Sequence, residues 1–221
     1  MQEEAIGEMM AQEFGRNPTG KWAYPGEAIR HAVFSDPCKR ILMVQKTGLG
    51  KSSVVLGILR ILGGVGINIV PLQSIGTGQA AAANEACRSM DSFHLDELAS
   101  EERGVLLKRL DGTATRDEPS IRPVMLYVSP QALDGMENAL RSTVRGLIER
   151  EVLSIVAVDE MHRLPLDAPV FRKEFGRLRA NLFDFLGPKV TVVAMTATIT
   201  DGLLTEFTQM TGIRFDSRVW G

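Results

Sequence analysis

The chain has 221 residues, of which 44% are hydrophobic and 24% are charged, as in ordinary globular proteins. Its formal net charge is −2, so it does not have the excess of basic residues that would by itself indicate a nucleic-acid-binding protein. No apolar run reaches the ~18 residues that a membrane span needs, and the acidic start MQEEAIGEMM is unlike a signal peptide, so we predict an intracellular protein, nuclear if eukaryotic.

Five short apolar segments predict buried strands because they hardly alternate with polar residues. They are Ile41–Val44, Ile67–Val70, Val124–Val128, Ser154–Val158 and Val190–Met195. Helical patterns separate them at Ser52–Leu62, Gln79–Arg88, Glu97–Leu110, Gln131–Glu149 and Phe171–Phe185. Alternating strands and helices predict an α/β fold with a mainly parallel sheet and helices on both of its faces. We expect a helical extension over residues 1–20, one domain over 21–210, and a tail or linker start over 211–221.

A glycine-rich segment follows the first predicted strand and precedes an apolar helix; it reads Gln45-Lys46-Thr47-Gly48-Leu49-Gly50-Lys51-Ser52. Glycines let backbone N–H groups turn toward phosphates, and a helix N-terminus adds partial positive charge. Lys51 would reach the β- and γ-phosphates of a nucleotide, and the Ser52 hydroxyl would bind Mg²⁺. The general pattern has a glycine at the position of Gln45, and a glycine-rich turn with a solvated lysine is the alternative interpretation.

An acidic motif follows the fourth predicted strand and reads Asp159-Glu160-Met161-His162. Two carboxylates at the end of a buried strand are costly unless a ligand neutralises them, and open α/β sheets bind ligands at this edge. We predict that Asp159 holds Mg²⁺ and that Glu160 orients and deprotonates the attacking water. His162 would link the nucleotide to the rest of the protein. A pair of helix N-cap residues is the alternative.

In chain order over residues 20 to 200, these and further segments resemble superfamily 2 helicases, and RecQ-like DNA helicases in particular. Residues 47–52 resemble helicase motif I, and Asp159–His162 resembles the DEAH box. The other similar segments are Pro71-Leu72-Gln73-Ser74 with Gln79 (motif Ia), Tyr127-Val128-Ser129-Pro130 (motif Ib), Phe171–Phe175, and Thr196-Ala197-Thr198 (motif III). Six short motifs in the expected order are far more specific than any one of them.

The resemblance implies a RecA-like P-loop NTPase that binds ATP and Mg²⁺, hydrolyses ATP, and moves 3′ to 5′ on DNA. It implies that His162, Thr196 and Thr198 couple the nucleotide to the strand. The implied ATP-binding residues are Tyr24, Glu27, Thr47, Gly48, Leu49, Gly50, Lys51, Ser52 and Ser53. The implied contacts with the nucleic-acid backbone are Pro71, Ser74, Gln79, Ser129 and Pro130.

The chain departs from the family pattern at several positions. Tyr24-Pro25-Gly26-Glu27 stands where the family has R-P-G-Q, and an ionised glutamate cannot donate a hydrogen bond to adenine as glutamine does. Met161 replaces the alanine of DEAH, and residues 163–170 contain no aromatic residue where the family has an aromatic-rich loop.

A second RecA-like domain is the partner that the resemblance implies, because it would supply an arginine finger. Only ~20 residues follow motif III, too few for another domain, so we expect a part of a longer protein or a degenerate gene product. Alone it should bind nucleotide weakly and hydrolyse it slowly. An RNA helicase, a P-loop enzyme acting on small molecules, and a non-catalytic interaction module stay open as alternatives.

Overall fold

The computed structural model describes residues 2–14, 23–34, 40–48, 50–70, 73–113, 122–134, 138–166 and 177–220. The strands are β1 Arg40–Val44, β2 Val65–Ile69, β3 Asp91–His94, β4 Val124–Val128, β5 Leu153–Val158, β6 Thr191–Thr196 and β7 Ser217–Trp220. The helices are α1 Gln2–Phe14, α2 Ala23–Val33, α3 Lys51–Leu62, α4 Gln73–Ala86, α5 Ser100–Asp111, α6 Pro130–Asp134, α7 Asn138–Glu149 and α8 Asp201–Thr211. Residues 177–181 are also helical, and a 3₁₀ turn covers Phe183–Phe185.

One sheet of seven strands organises the fold, in the order β3-β4-β2-β5-β6-β1-β7, and every pair of neighbours is parallel. Strand β6 lies between β1 and β5, so the residues after these three strands meet at one edge of the sheet. The four strands β2, β4, β5 and β6 are buried along their whole length. A parallel sheet needs both faces covered, which is why these strands are mostly apolar.

Helices cover the two faces and enclose two apolar cores, because successive strand side chains point to opposite faces. Leu42 and Val44 of β1 belong to the core beneath α5, α7 and α8. Ile41 and Met43 belong to the core beneath α1 to α4. The α/β architecture with helices on both faces is therefore confirmed.

The predicted strands are all present, with ends that differ by up to two residues. Two strands were missed, β3 and β7, because each is four residues long, lies at an edge, and is only partly buried. An edge strand has one sheet neighbour and no need for a continuous apolar run. The expectation of a tail or linker over 211–221 is corrected by β7, which pairs in parallel with β1.

The helix predicted over Gln131–Glu149 corresponds to α6 and α7, with 135–137 outside the described residues. For the helix predicted over Phe171–Phe185, only 177 onward is described, as a short helix followed by the 3₁₀ turn. Within the N-terminal extension, α1 packs on α2 and α3, and buries Ile6 and Met10 in the second core. Across the described ranges, no helix is both long and apolar enough to cross a membrane.

Candidate functional site

The glycine-rich loop connects β1 to α3 and turns through two glycines with left-handed backbone, Gly48 at φ 78° and Gly50 at φ 90°. Gly50 is the N-cap of α3 and offers no side chain to the first helical amides. The first turn of α3 also has no acidic residue, and Ser52 and Ser53 lie half-buried in it. A helix start without a side-chain cap or an acidic first turn is a feature that phosphate-binding loops use.

Lys51 is the first residue of α3, and its side chain is 8% exposed. Its ammonium donates to the carbonyl of Gln45 at 3.0 Å and lies 3.4 Å from Oε1 of Glu160. A buried charge needs such partners, since an unpaired ammonium would lose its hydration without compensation. The glycine-rich segment and the acidic motif, more than a hundred residues apart in sequence, thus meet in space.

Asp159 directly follows β5 and is buried. Its Oδ2 accepts from Nε2 of Gln79 at 2.6 Å, and its Oδ1 accepts from the Glu160 amide at 2.9 Å. Burial raises the pKa of Asp159, the Gln79 hydrogen bond opposes that rise, and the carboxylate of Glu160 adds to it. The backbone amide of Glu160 and the charge of Lys51 both favour ionisation. A carboxylate that its environment does not fully compensate is typical of a cation site.

Glu160 holds the backbone in the left-handed region at φ 43°, a conformation that costs free energy for any residue with a Cβ. This turn directs Oε1 toward Lys51 and leaves Oε2 3.3 Å from Nδ1 of His162. The backbone after Glu160 is tied back to the sheet, because the Met161 amide donates to the carbonyl of Met195 at 2.8 Å. The strained turn therefore places one carboxylate between two basic groups.

The end of β6 joins the two motifs, through Thr196. Its carbonyl accepts from the Gln45 amide at 2.9 Å, and its hydroxyl lies 2.9 Å from Nδ1 of His162. The same hydroxyl donates to the carbonyl of Thr198 at 2.7 Å, so Nδ1 of His162 must carry the hydrogen of its bond to Thr196. The three residues with an implied coupling role are therefore connected by hydrogen bonds through Thr196.

A buried polar patch lies behind Asp159. Tyr127 is 1% exposed, and its pKa is raised first by burial and second by the charge of Asp159. Asn68, beside Tyr127 in the sheet register, is 1% exposed as well. Neither position was singled out from the sequence as part of the nucleotide site, because only the strand order brings β2 and β4 toward the end of β5.

The residues that the resemblance assigns to nucleic acid divide into two groups. Gln79 contacts Asp159 and so lies beside the acidic motif. Ser129 is fully buried; its hydroxyl donates to Asp96 at 2.8 Å and accepts from the Ala132 amide at 3.0 Å. Asp96 was missed, since nothing local marks it, yet it also accepts from the Ser129 amide at 2.9 Å. Ser129 and Pro130 thus form a fixed start to α6 at the end of β4.

Several predicted site residues lie outside the described residues, namely Leu49, Pro71 and the segment 171–175. Tyr24 and Glu27 belong to α2, and Ser74 belongs to α4, but the side chains of these three residues are also outside the described part of the chain. Thr47 and Gly48 are described and exposed.

The chemistry of the donor set fits Mg²⁺ held mainly by phosphates and water. Among the described residues, no cluster of three or more His, Cys, Asp or Glu side chains is arranged to hold a metal. Mg²⁺ in nucleotide sites characteristically takes one or two protein oxygens, keeps several waters, and binds the substrate phosphates. The buried carboxylate of Asp159 and the hydroxyl of Ser52 provide ligands of that kind.

In sequence the chain is similar to the RecQ-like DNA helicase blm-1 of Caenorhabditis elegans. It is 26% identical over 164 residues, which are 74% of this chain and 16% of that protein. The chain therefore spans about a sixth of its curated relative. No protein-family model matches the chain.

Solved helicase structures share the fold. The helicase domain of Hef from Pyrococcus furiosus superposes with a TM-score of 0.59 at 16% identity, over 91% of this chain and 37% of that one. The DUF1998 helicase MrfA superposes with a TM-score of 0.65 at 15% identity, over 97% of this chain and 32% of that one. By fold and by sequence together, the chain is a helicase-like domain of RecA-like architecture, similar to the RecQ-like helicases of superfamily 2.

Proposed function

We propose that the domain predicted over residues 21–210, with β7 added to its sheet, is the ATP-binding first motor domain of a nucleic-acid helicase, which binds and hydrolyses Mg²⁺-ATP and grips one strand of DNA. The contact between Lys51 and Glu160, at 3.4 Å beside the glycine-lined loop, carries the proposal. A cation suited to phosphates and a carboxylate suited to activating water are thereby in one place. Phosphoryl transfer needs little more from a protein than such positioning and charge.

Each residue at this edge has a proposed role. The amides around Gly48 and Gly50 would face the phosphates, and Lys51 would neutralise their β- and γ-oxygens. Ser52 and Asp159 would hold Mg²⁺, which when bound neutralises charge that develops on the phosphates. Glu160 would orient the attacking water and accept its proton.

The nucleotide-free arrangement keeps Glu160 engaged. Its Oε1 faces the Lys51 ammonium at 3.4 Å, so this oxygen is engaged in an ion pair. A triphosphate would compete for Lys51 through its larger negative charge. Glu160 would then be released to accept a proton from water only when a nucleotide is present, which limits wasted turnover.

His162, Thr196 and Thr198 offer a physical route for coupling. Nδ1 of His162 lies 3.3 Å from Glu160 and 2.9 Å from the Thr196 hydroxyl. A movement of the Glu160 side chain would therefore be transmitted through His162 to the end of β6. We propose that this network carries the nucleotide state toward the strand-binding surface. That surface would include Pro71 and Ser74, whose backbone contacts would position a strand without reading its sequence, while the buried Ser129 and Pro130 would fix the backbone behind it at the start of α6.

The first test is calorimetric titration of the chain with Mg²⁺-ATP. Lys51→Ala should weaken binding about tenfold or more, because it removes a charge-assisted contact with the phosphates. Lys108→Ala, at an exposed position of α5, is the matched control and should bind like the wild type. Equal affinities for Lys51→Ala and the wild type would contradict the proposed nucleotide site.

Hydrolysis is tested in a protein that also carries a second RecA-like domain, since an arginine finger can contribute about 10³–10⁵ in rate. Stimulation of ATPase by single-stranded DNA above that by RNA supports the DNA motor. The reverse order supports an RNA helicase, and no response to either supports an enzyme acting on small molecules. Nucleotide binding without any hydrolysis supports an interaction module, as the departures at Tyr24 and Glu27 would allow.

A further inference from the structure

We propose that Gln79 is a positioning residue of the nucleotide site, whose side-chain amide fixes the Asp159 carboxylate in the orientation needed to hold Mg²⁺. The inference rests on the proposed function and deepens it. The resemblance assigns this glutamine to nucleic acid instead. In the structure, however, Gln79 donates a 2.6 Å hydrogen bond to Oδ2 of Asp159.

Both oxygens of Asp159 are engaged by fixed donors. Oδ2 accepts from Gln79, and Oδ1 accepts from the Glu160 amide at 2.9 Å. The Asp159 amide is held too, because it donates to the carbonyl of Ile69 at 2.9 Å. Each carboxylate oxygen has a second acceptor position, so these bonds set the plane of the group and leave capacity for a cation. Without Gln79, the Glu160 amide is the hydrogen-bond donor that would still restrain the carboxylate among the described residues.

The orientation of the Gln79 amide follows from charge. An ionised carboxylate can only accept, so the NH₂ group must face Asp159 and Oε1 must point away. Oε1 is buried, and within the described part of the chain it has no hydrogen-bond partner. A buried acceptor without a donor is unfavourable unless a ligand brings one. Water bound to Mg²⁺ is such a donor, and Mg²⁺ sites in proteins keep several waters.

The fold explains how a helix residue reaches the end of β5. Helix α4 follows β2, and β2 lies next to β5 in the sheet. Ala80 and Ala83 of α4 are buried, and α4 packs on β3 and β4. Small residues let the helix approach the sheet closely, so the long side chain of Gln79 extends over the strand ends to Asp159. Partners that orient a metal-binding side chain in this way typically contribute 10–100-fold to metal affinity.

The experiment separates metal-dependent from metal-independent nucleotide binding. Affinity for ATP is measured by calorimetry with Mg²⁺ and again in EDTA, for the wild type and for Gln79→Leu. Mg²⁺ raises the ATP affinity of the wild type by some factor, and in the variant that factor should be about 10–100-fold smaller. The ATP affinity of the variant in EDTA should stay within about twofold of that of the wild type. Mn²⁺ in place of Mg²⁺ allows bound metal to be counted by electron paramagnetic resonance, independently of hydrolysis.

Two further variants keep the test decisive. Gln209→Leu makes the same change at an exposed position of α8 and should leave both affinities unaltered. Gln79→Met keeps the length of the side chain without its donor, and it replaces Gln79→Leu if that variant does not fold. Thermal unfolding of each variant checks the fold.

The outcomes distinguish the two proposals. A wild type with no Mg²⁺-dependent ATP binding contradicts the proposed function, and this inference with it. A wild type that binds, together with Gln79 variants that keep the full effect of Mg²⁺, overturns the inference alone. Equal losses with Mg²⁺ and in EDTA also overturn it, because they indicate a contact with the nucleotide or a damaged fold.

Discussion

Replacing Asp159 by asparagine should stabilise the nucleotide-free protein. The side chain is 5% exposed, and burial is the largest cause of its raised pKa. Asparagine has nearly the same shape and no charge, and its Oδ1 can still accept from the Glu160 amide. The Gln79 amide can turn so that its oxygen accepts from the new NH₂ group. The hydrogen bonds are thereby kept while the cost of burying an ionised group is removed.

The expected gain is about 1 kcal/mol at pH 7, within the ~0.5–2 kcal/mol that single stabilising substitutions commonly give. For a domain of this size, that corresponds to a rise in Tm of about 2–4 °C. The gain should depend on pH in a definite sense. Asp159 has a higher pKa in the folded than in the unfolded chain, so its ionisation costs stability as pH rises from the unfolded value of about 3.9 through the folded pKa. Below about pH 3.9 both states are protonated, and the advantage of asparagine should vanish.

The measurement is urea unfolding of the wild type and Asp159→Asn from pH 4 to pH 8. Asp201→Asn, at an exposed position in the first turn of α8, controls for loss of a carboxylate and should change stability by no more than about 0.5 kcal/mol. A variant less stable than the wild type at pH 7, or a gain that does not grow with pH, would refute the assignment of Asp159 as an uncompensated buried carboxylate. The same variant should lose Mg²⁺-dependent ATP binding.

Two further predictions concern the frame that holds the site. Ser129→Ala removes a hydrogen bond to Asp96 and the cap of α6, and should lower the free energy of unfolding by about 1–2 kcal/mol, whereas Ser142→Ala at an exposed position should change it by less than about 0.5 kcal/mol. Gly66→Ala would place a Cβ 2.9–3.0 Å from three buried side chains and should cost about 1–3 kcal/mol. Gly104→Ala, which meets nothing within 4 Å on α5, should instead stabilise by about 0.5–1 kcal/mol. Urea unfolding measures the free energy of unfolding of all four variants. Equal changes for the two glycine substitutions would contradict the packing described for β2.

Five of the seven strands in the sheet and the two motifs were predictable from sequence because their signals are local. A strand buried on both faces must be apolar along its length, and β4 is found with the predicted ends. The loop before Lys51 and the acid pair Asp159 and Glu160 each follow such a strand directly. Since parallel strands end at a common edge, their meeting could be predicted without coordinates.

What the sequence alone determined is therefore the kind of fold and the two ends of the candidate nucleotide site. The tertiary structure decided the contacts that depend on strand order: β6 between β1 and β5, which brings Thr196 against His162, and β2 beside β5, which brings Gln79 to Asp159. It also decided the edge strand β7. The physical reason is that strand order and edge pairing come from burial and hydrogen bonding between distant segments, so no short stretch of the chain encodes them.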